Sequence, residues 1–273
     1  MRLRTGLACG LLIAASSSCG TDRDAKPTAT TMSDAEQAAR RSVGIGQFTP
    51  AEAARELPVS AADVEAIQKL KTAVMPTAAE VDALRSQHLD MESARGAAET
   101  LDASPTIRTE MRAANSVASK FPNAQAAKDS GYVLASRFLP GIGAHWIKWS
   151  AVVEPFDIAN PAMLLFEGNE LVSSLVGLSY FTHSETVPLW FGDGGAQWHQ
   201  HWAMCLVNGR LVAEGASALT SCGGNADLIS GRDVWMLHVW PVDGFANPSG
   251  MFAALNPALC SRVFPCTEEQ SQQ

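Results

Sequence analysis

Hydrophobic and polar positions follow a helical rhythm early in this chain and a strand-like one later. Behind Ser60 the apolar residues Val64, Ile67, Leu70 and Val74 recur on one helical face. Behind Thr77 the residues Val81, Leu84, His88 and Met91 do the same. The helix starts are marked too. Thr49 with Glu52, Ser60 with Asp63 and Thr77 with Glu80 sit at the spacing at which a hydroxyl and a carboxylate cap each other's backbone N–H. Pro50 falls at a first helical position, where its missing N–H costs nothing. A further helix is expected from about Pro105 to Lys120, and a short one from Asn123 to Asp129 that Gly131 ends. Farther on, apolar runs over Pro161 to Glu167 and Leu171 to Phe181 flank Gly168-Asn169, a hairpin signal. Trp198 to Val207 reads as one strand that turns at Asn208-Gly209 into Leu211 to Ala213. Val234 to Trp240 reads as another. The pattern predicts an α+β protein: N-terminal Ala-rich helices, then a mostly antiparallel β domain rich in Trp.

Composition sharpens the boundary. All seven Trp and both Tyr follow residue 130, as do five of the six His, whereas Phe48 is the one aromatic residue up to 120. The bulky side chains that build a core, and any site set into it, therefore concentrate in the last part. We divide the chain into residues 1–18, a spacer over 19–47, a helical region over 48–120, an α+β domain over 121–266 and a disordered tail over 267–273. The strings Ser60-Ala-Ala-Asp-Val and Thr77-Ala-Ala-Glu-Val are alike, but two copies do not make a repeat array.

The start of the chain has its own logic. Arg2 and Arg4 precede an apolar run from Gly6 to Ala15, too short to span a bilayer but suited to a signal peptide. Ser16-Ser17-Ser18-Cys19 follows and resembles the lipobox of bacterial lipoproteins, with Ser16 where a Leu is usual. The resemblance implies cleavage before Cys19, diacylation of that residue, and a membrane-anchored protein of the bacterial envelope. Gly20 behind the cysteine favours the outer membrane by the same resemblance. Two acyl chains anchor stably where one does not. Thr21 to Gln47, rich in Ala, Thr, Ser and charge, suits a tether.

The formal charge is −8, more negative once Arg2 and Arg4 leave, and no basic cluster remains. Nucleic acid is excluded as a partner, because neutralising phosphates needs concentrated Lys and Arg. Apart from Cys9 in the signal and Cys19, the cysteines are Cys205, Cys222, Cys260 and Cys266. In an exported chain these read as two disulfides with three possible connectivities, of which the pairing of neighbours, Cys205–Cys222 and Cys260–Cys266, closes short loops and is the one expected.

His199 and His201 are two apart, so on a strand both project from one face, and Cys205 shares it. Trp198, Gln200 and Trp202 take the other face. His145 follows a glycine-rich turn, and His238 lies mid-strand among Trp235, Met236, Val239 and Trp240. A neutral imidazole in an apolar strand needs a hydrogen-bond partner or a metal. With Glu167 as an added carboxylate, these four histidines suit zinc, iron, manganese or copper. Each also reads as a hydrogen-bonded structural residue, and the Trp residues read as core packing. His183 belongs to a solvated loop. Ser179 in Gly177-Leu178-Ser179-Tyr180 lacks the second glycine of a nucleophile elbow, Gly141-Ile142-Gly143 lacks the third of a dinucleotide fingerprint, and no P-loop or Cys-x-x-Cys is present.

Gly141-Ile142-Gly143-Ala144-His145-Trp146, Trp198-His199-Gln200-His201, Leu237-His238-Val239-Trp240, Asn247-Pro248-Ser249-Gly250-Met251-Phe252 and Asn256-Pro257 to Cys260 occur in that order. Together they resemble an uncharacterised family of secreted or envelope bacterial proteins over roughly Phe121 to Cys260. Ile142 and Pro241 depart from that pattern. The resemblance implies one domain and export, and no reaction. The function expected is non-catalytic binding of a small molecule or protein partner in the envelope. The alternatives are metal binding, or metal-dependent catalysis, at the histidine cluster.

Overall fold

The computed structural model describes residues 46–71, 75, 77, 79–81, 83, 104–192, 196–201 and 203–260. Cys19, the expected signal and tether segments before residue 46, the stretch with Leu84, His88 and Met91 expected to be helical, Trp202, Cys266 and residues 267–273 lie outside them. The fold is α+β, and every strand pair among the described residues is antiparallel.

The helix signals act as expected. Helix α1 (Pro50–Arg55) starts at a full capping box, in which Thr49 and Glu52 satisfy each other's backbone N–H. Helix α2 (Ala61–Lys71) starts with the Ser60 hydroxyl donating to Asp63 at 2.7 Å and accepting the Asp63 N–H at 3.1 Å. Its buried stripe is Asp63, Ala66, Ile67 and Leu70, and Val64, expected on that face, is 47% exposed. The buried Asp63 explains the rotation, because its carboxylate accepts the Ser150 N–H at 2.7 Å. Helix α3 (Pro105–Ala118) turns Ile107, Met111, Ala114 and Val117 inward, and α4 (Ala124–Asp129) is capped by Asn123.

Six strands form the larger sheet: β1 (Val133–Leu139), β2 (Gly143–Ile147), β3 (Met163–Phe166), β4 (Leu175–His183), β5 (His199–Gln200) and, last in sequence, β9 (Val234–Val239), in the order β1-β2-β3-β4-β9-β5. A short helix α5 (Trp149–Val152) follows β2. The smaller sheet holds β6 (Met204–Val207), β7 (Arg210–Glu214) and β8 (Asp227–Ile229) in the order β7-β6-β8, with helix α6 (Ala216–Ser221) after β7. Asn208 and Gly209 turn the β6–β7 hairpin at φ of 51° and 73°, the doubly positive turn that matches strand twist.

The single strand expected over Trp198 to Val207 is two. His199–Gln200 pairs with β9 in the larger sheet, and Met204–Val207 pairs with β7 and β8 in the smaller one. The chain crosses between layers around Ala203, whose carbonyl accepts the Gly215 N–H at 2.7 Å. Cys205 therefore leaves the histidine face and bonds to Cys222. Cys260 is disulfide-bonded as well.

Alternation along the strands gives the larger sheet two different faces. One carries Trp146, Leu164, Phe166, Leu178, Tyr180, Leu237 and Val239 against α3 and α4. The other carries Ile147, Met163, Phe181 and Met236 against α2, α5 and the Met204, Leu206 and Ile229 side chains of the smaller sheet. The early helices thus contribute to the same two cores as the strands. The chain before α1 ties the sheets together: the Gly46 carbonyl accepts the Arg137 N–H of β1, and the Phe48 N–H donates to Leu211 of β7.

Candidate functional site

Between the two sheets lies a cavity of about 110 Å³, and all four candidate histidines open into it. Its walls are mainly apolar and include Ile147, Trp149, Phe181, Leu206 and three methionines, Met163, Met204 and Met236. His145 comes from β2 and His238 from β9. His199 comes from β5 and stands opposite Met236 in the register, while His201 follows just beyond the strand. Its N–H still bonds to the Val234 carbonyl, which keeps the two histidines on one face.

The rings form a chain. Their centres are 6.1 Å apart for His145 and His238, 6.2 Å for His238 and His199, and 5.5 Å for His199 and His201. Ser179, a small residue on the intervening β4, stands directly opposite both Met163 and His238, and its buried hydroxyl has no hydrogen-bond partner.

The ring nitrogens are organised alike. Nδ1 of His238 donates to the Ala254 carbonyl at 2.7 Å, and Nδ1 of His199 to the Gln197 carbonyl at 3.2 Å. Nδ1 of His201 donates to the Glu214 carboxylate at 2.5 Å, and Nδ1 of His145 lies 2.8 Å from the Ser136 hydroxyl. Carbonyls only accept, so the Nδ1 proton is fixed on His199 and His238, and in the neutral ring Nε2 is left as the electron-pair donor. On His238 that Nε2 is buried with no hydrogen-bond partner. Burial holds His238 at a pKa of about 4, with His201 lowering it further and the Ala254 bond opposing. Burial, then His238 and His201, holds His145 well below the ordinary imidazole range. Both rings are neutral at pH 7, the state in which imidazole binds metals.

Glu167 does not join them. It is exposed at the β3–β4 turn, where its carboxylate accepts the Ser174 N–H at 3.0 Å and so serves its own hairpin. The carboxylate at the site is Glu214, reached from the far end of the β6–β7 hairpin, where it pairs with Met204. Counting rungs outward from Asn208-Gly209 leads towards it, although a bulge between Cys205 and Leu206 shifts the register. Ser136 and Met236 are further contributors that residue-type reasoning passed over. His183 is exposed, as its loop-like surroundings suggest. The buried indoles serve packing: Trp149, Trp198 and Trp240 donate to backbone carbonyls.

Among the described residues, no three His, Cys, Asp or Glu side chains converge closely enough to hold a metal as they stand. Imidazole nitrogens about 2 Å from one ion bring ring centres to about 5–5.5 Å. The separations of neighbouring rings run from 5.5 Å, at the edge of that range, to 6.2 Å. Comparison with protein-family models, curated proteins and solved structures found no match to this chain.

Proposed function

We propose that this protein is a metal-binding lipoprotein of the bacterial envelope, anchored through Cys19, that holds one transition-metal ion in the cavity between its sheets. The observation that carries the reading is the shared polarity of the imidazoles. His199, His201 and His238 each commit Nδ1 to an acceptor, the outer arrangement that orients histidine ligands in metal sites. A buried Nε2 on His238 with no hydrogen-bond partner costs free energy that a bound cation would offset. His238 stands between His145 and His199, with His201 and its Glu214 partner beside His199, and the ligands are drawn from this row.

The test is metal analysis of the full chain, extracted in detergent, stripped with chelator and reloaded. About one equivalent of a transition metal should remain after desalting, and less than about a tenth would sink the reading. Replacing His199 and His238 together by Asn should abolish retention while circular dichroism stays unchanged. The anchor has its own check. Cys19→Ala should move the protein from the membrane fraction to the soluble one.

The apolar walls support a second reading, in which the cavity takes a small apolar molecule and the histidines contact its polar edge. Metal retention alongside an unchanged response to small apolar probes would separate the two.

A further inference from the structure

Resting on the metal-binding reading, we propose that the cavity is selective for copper(I), with the Met236 thioether as a ligand beside the histidines. Met236 sits at the centre of the set: opposite His199 in the β5–β9 register, and two residues before His238 on the same face of β9. Its Sδ is 3.0 Å from Nε2 of His201. Nδ1 of His201 is directed at Glu214, so Nε2 is the ring atom that faces the sulfur.

Met163 and Met204 line the same cavity, from the larger and the smaller sheet. Thioethers are poor ligands for zinc, manganese or iron(II) but good ones for copper(I), and imidazole accepts copper in either state. Apolar walls favour the ion of lower charge, because a singly charged cation costs less to remove from water than a divalent one. Donor type and surroundings therefore point to the same ion. The histidines alone would leave zinc equally suited.

The experiment compares copper(I) with zinc(II) on the full chain in detergent, without oxygen, with ascorbate holding copper reduced and a coloured chelator competing for each ion. Copper(I) should bind at one equivalent and at least a hundredfold more tightly than zinc, and X-ray absorption should show a sulfur neighbour at the copper. Met236→Leu should weaken copper(I) at least tenfold and leave zinc within about twofold. Zinc binding as tight as copper, or copper without a sulfur neighbour in the unaltered protein, overturns the selectivity while leaving the metal site standing. If neither ion binds, the metal-binding reading itself falls, and this inference with it.

Discussion

At the scale of single residues, the cavity is held by protons in fixed places. His238 titrates near 6.5 in an unfolded chain and at about 4 in the fold, because burial penalises its charged form. The unfolded state therefore binds more protons between those values, and stability is lost as the pH drops across that window. In the metal-free protein this histidine alone should cost about 3 kcal/mol by the time the pH reaches 4, with His145 acting in the same direction. Thermal melts from pH 7 to 4 check it. In His238→Gln, which does not titrate there, the slope should flatten clearly, and an unchanged slope would mean that the fold does not lower the pKa of His238. Asp63 is a second residue whose loss should be felt. Its carboxylate accepts both the Ser60 hydroxyl and the Ser150 N–H, so Asp63→Ala leaves these donors unmet and should cost about 2 kcal/mol in denaturant unfolding.

Element by element, the chain announces itself unevenly. Local chemistry was legible: the caps at Thr49, Ser60 and Thr77 use side chains three residues apart, and Asn208-Gly209 turns where its φ tolerance says it should. The parity of His199 and His201 was legible too, since a period of two survives any sheet assignment. Three things were not. The break between His201 and Met204 falls at Trp202-Ala203, with no glycine, proline or other turn residue, so nothing local shows that the two halves belong to different sheets. Strands β1 and β2 hide behind register shifts at Ser136 and Leu139, which destroy the alternation a reader would count. Glu214 reaches His201 only through the pairing of two layers, information that resides in tertiary contacts. The Cys205–Cys222 bridge was legible as the shorter closure, and it fastens β6 to the end of α6 across 17 residues. Replacing both cysteines by Ser should lower stability by about 3 kcal/mol in denaturant melts, as expected for a loop of that length. A loss below about 1 kcal/mol would mean that the smaller sheet holds without it.

For the molecule as a whole, the cavity exists because two sheets are kept apart by side chains and tied together by one segment. Gly46 accepts from Arg137 on β1, Phe48 donates to Leu211 on β7, and Arg137 lies 4.5 Å over the Phe48 ring while pairing with Glu52 at 2.9 Å. Gly46 is at a φ of +80°, and a Cβ there would fall 2.5 Å from Leu139, itself a wall of the cavity. Gly46→Ala therefore combines a left-handed backbone penalty of about 1–2 kcal/mol with a collision that pushes the segment off β1. The melting temperature should fall, and the Arg137 amide should exchange its hydrogen faster because its acceptor has moved. If the segment also closes the cavity, metal should be lost to chelator faster from the variant than from the unaltered protein. A lower melting temperature with unchanged metal release would make these residues a brace between the sheets, with the way into the cavity elsewhere.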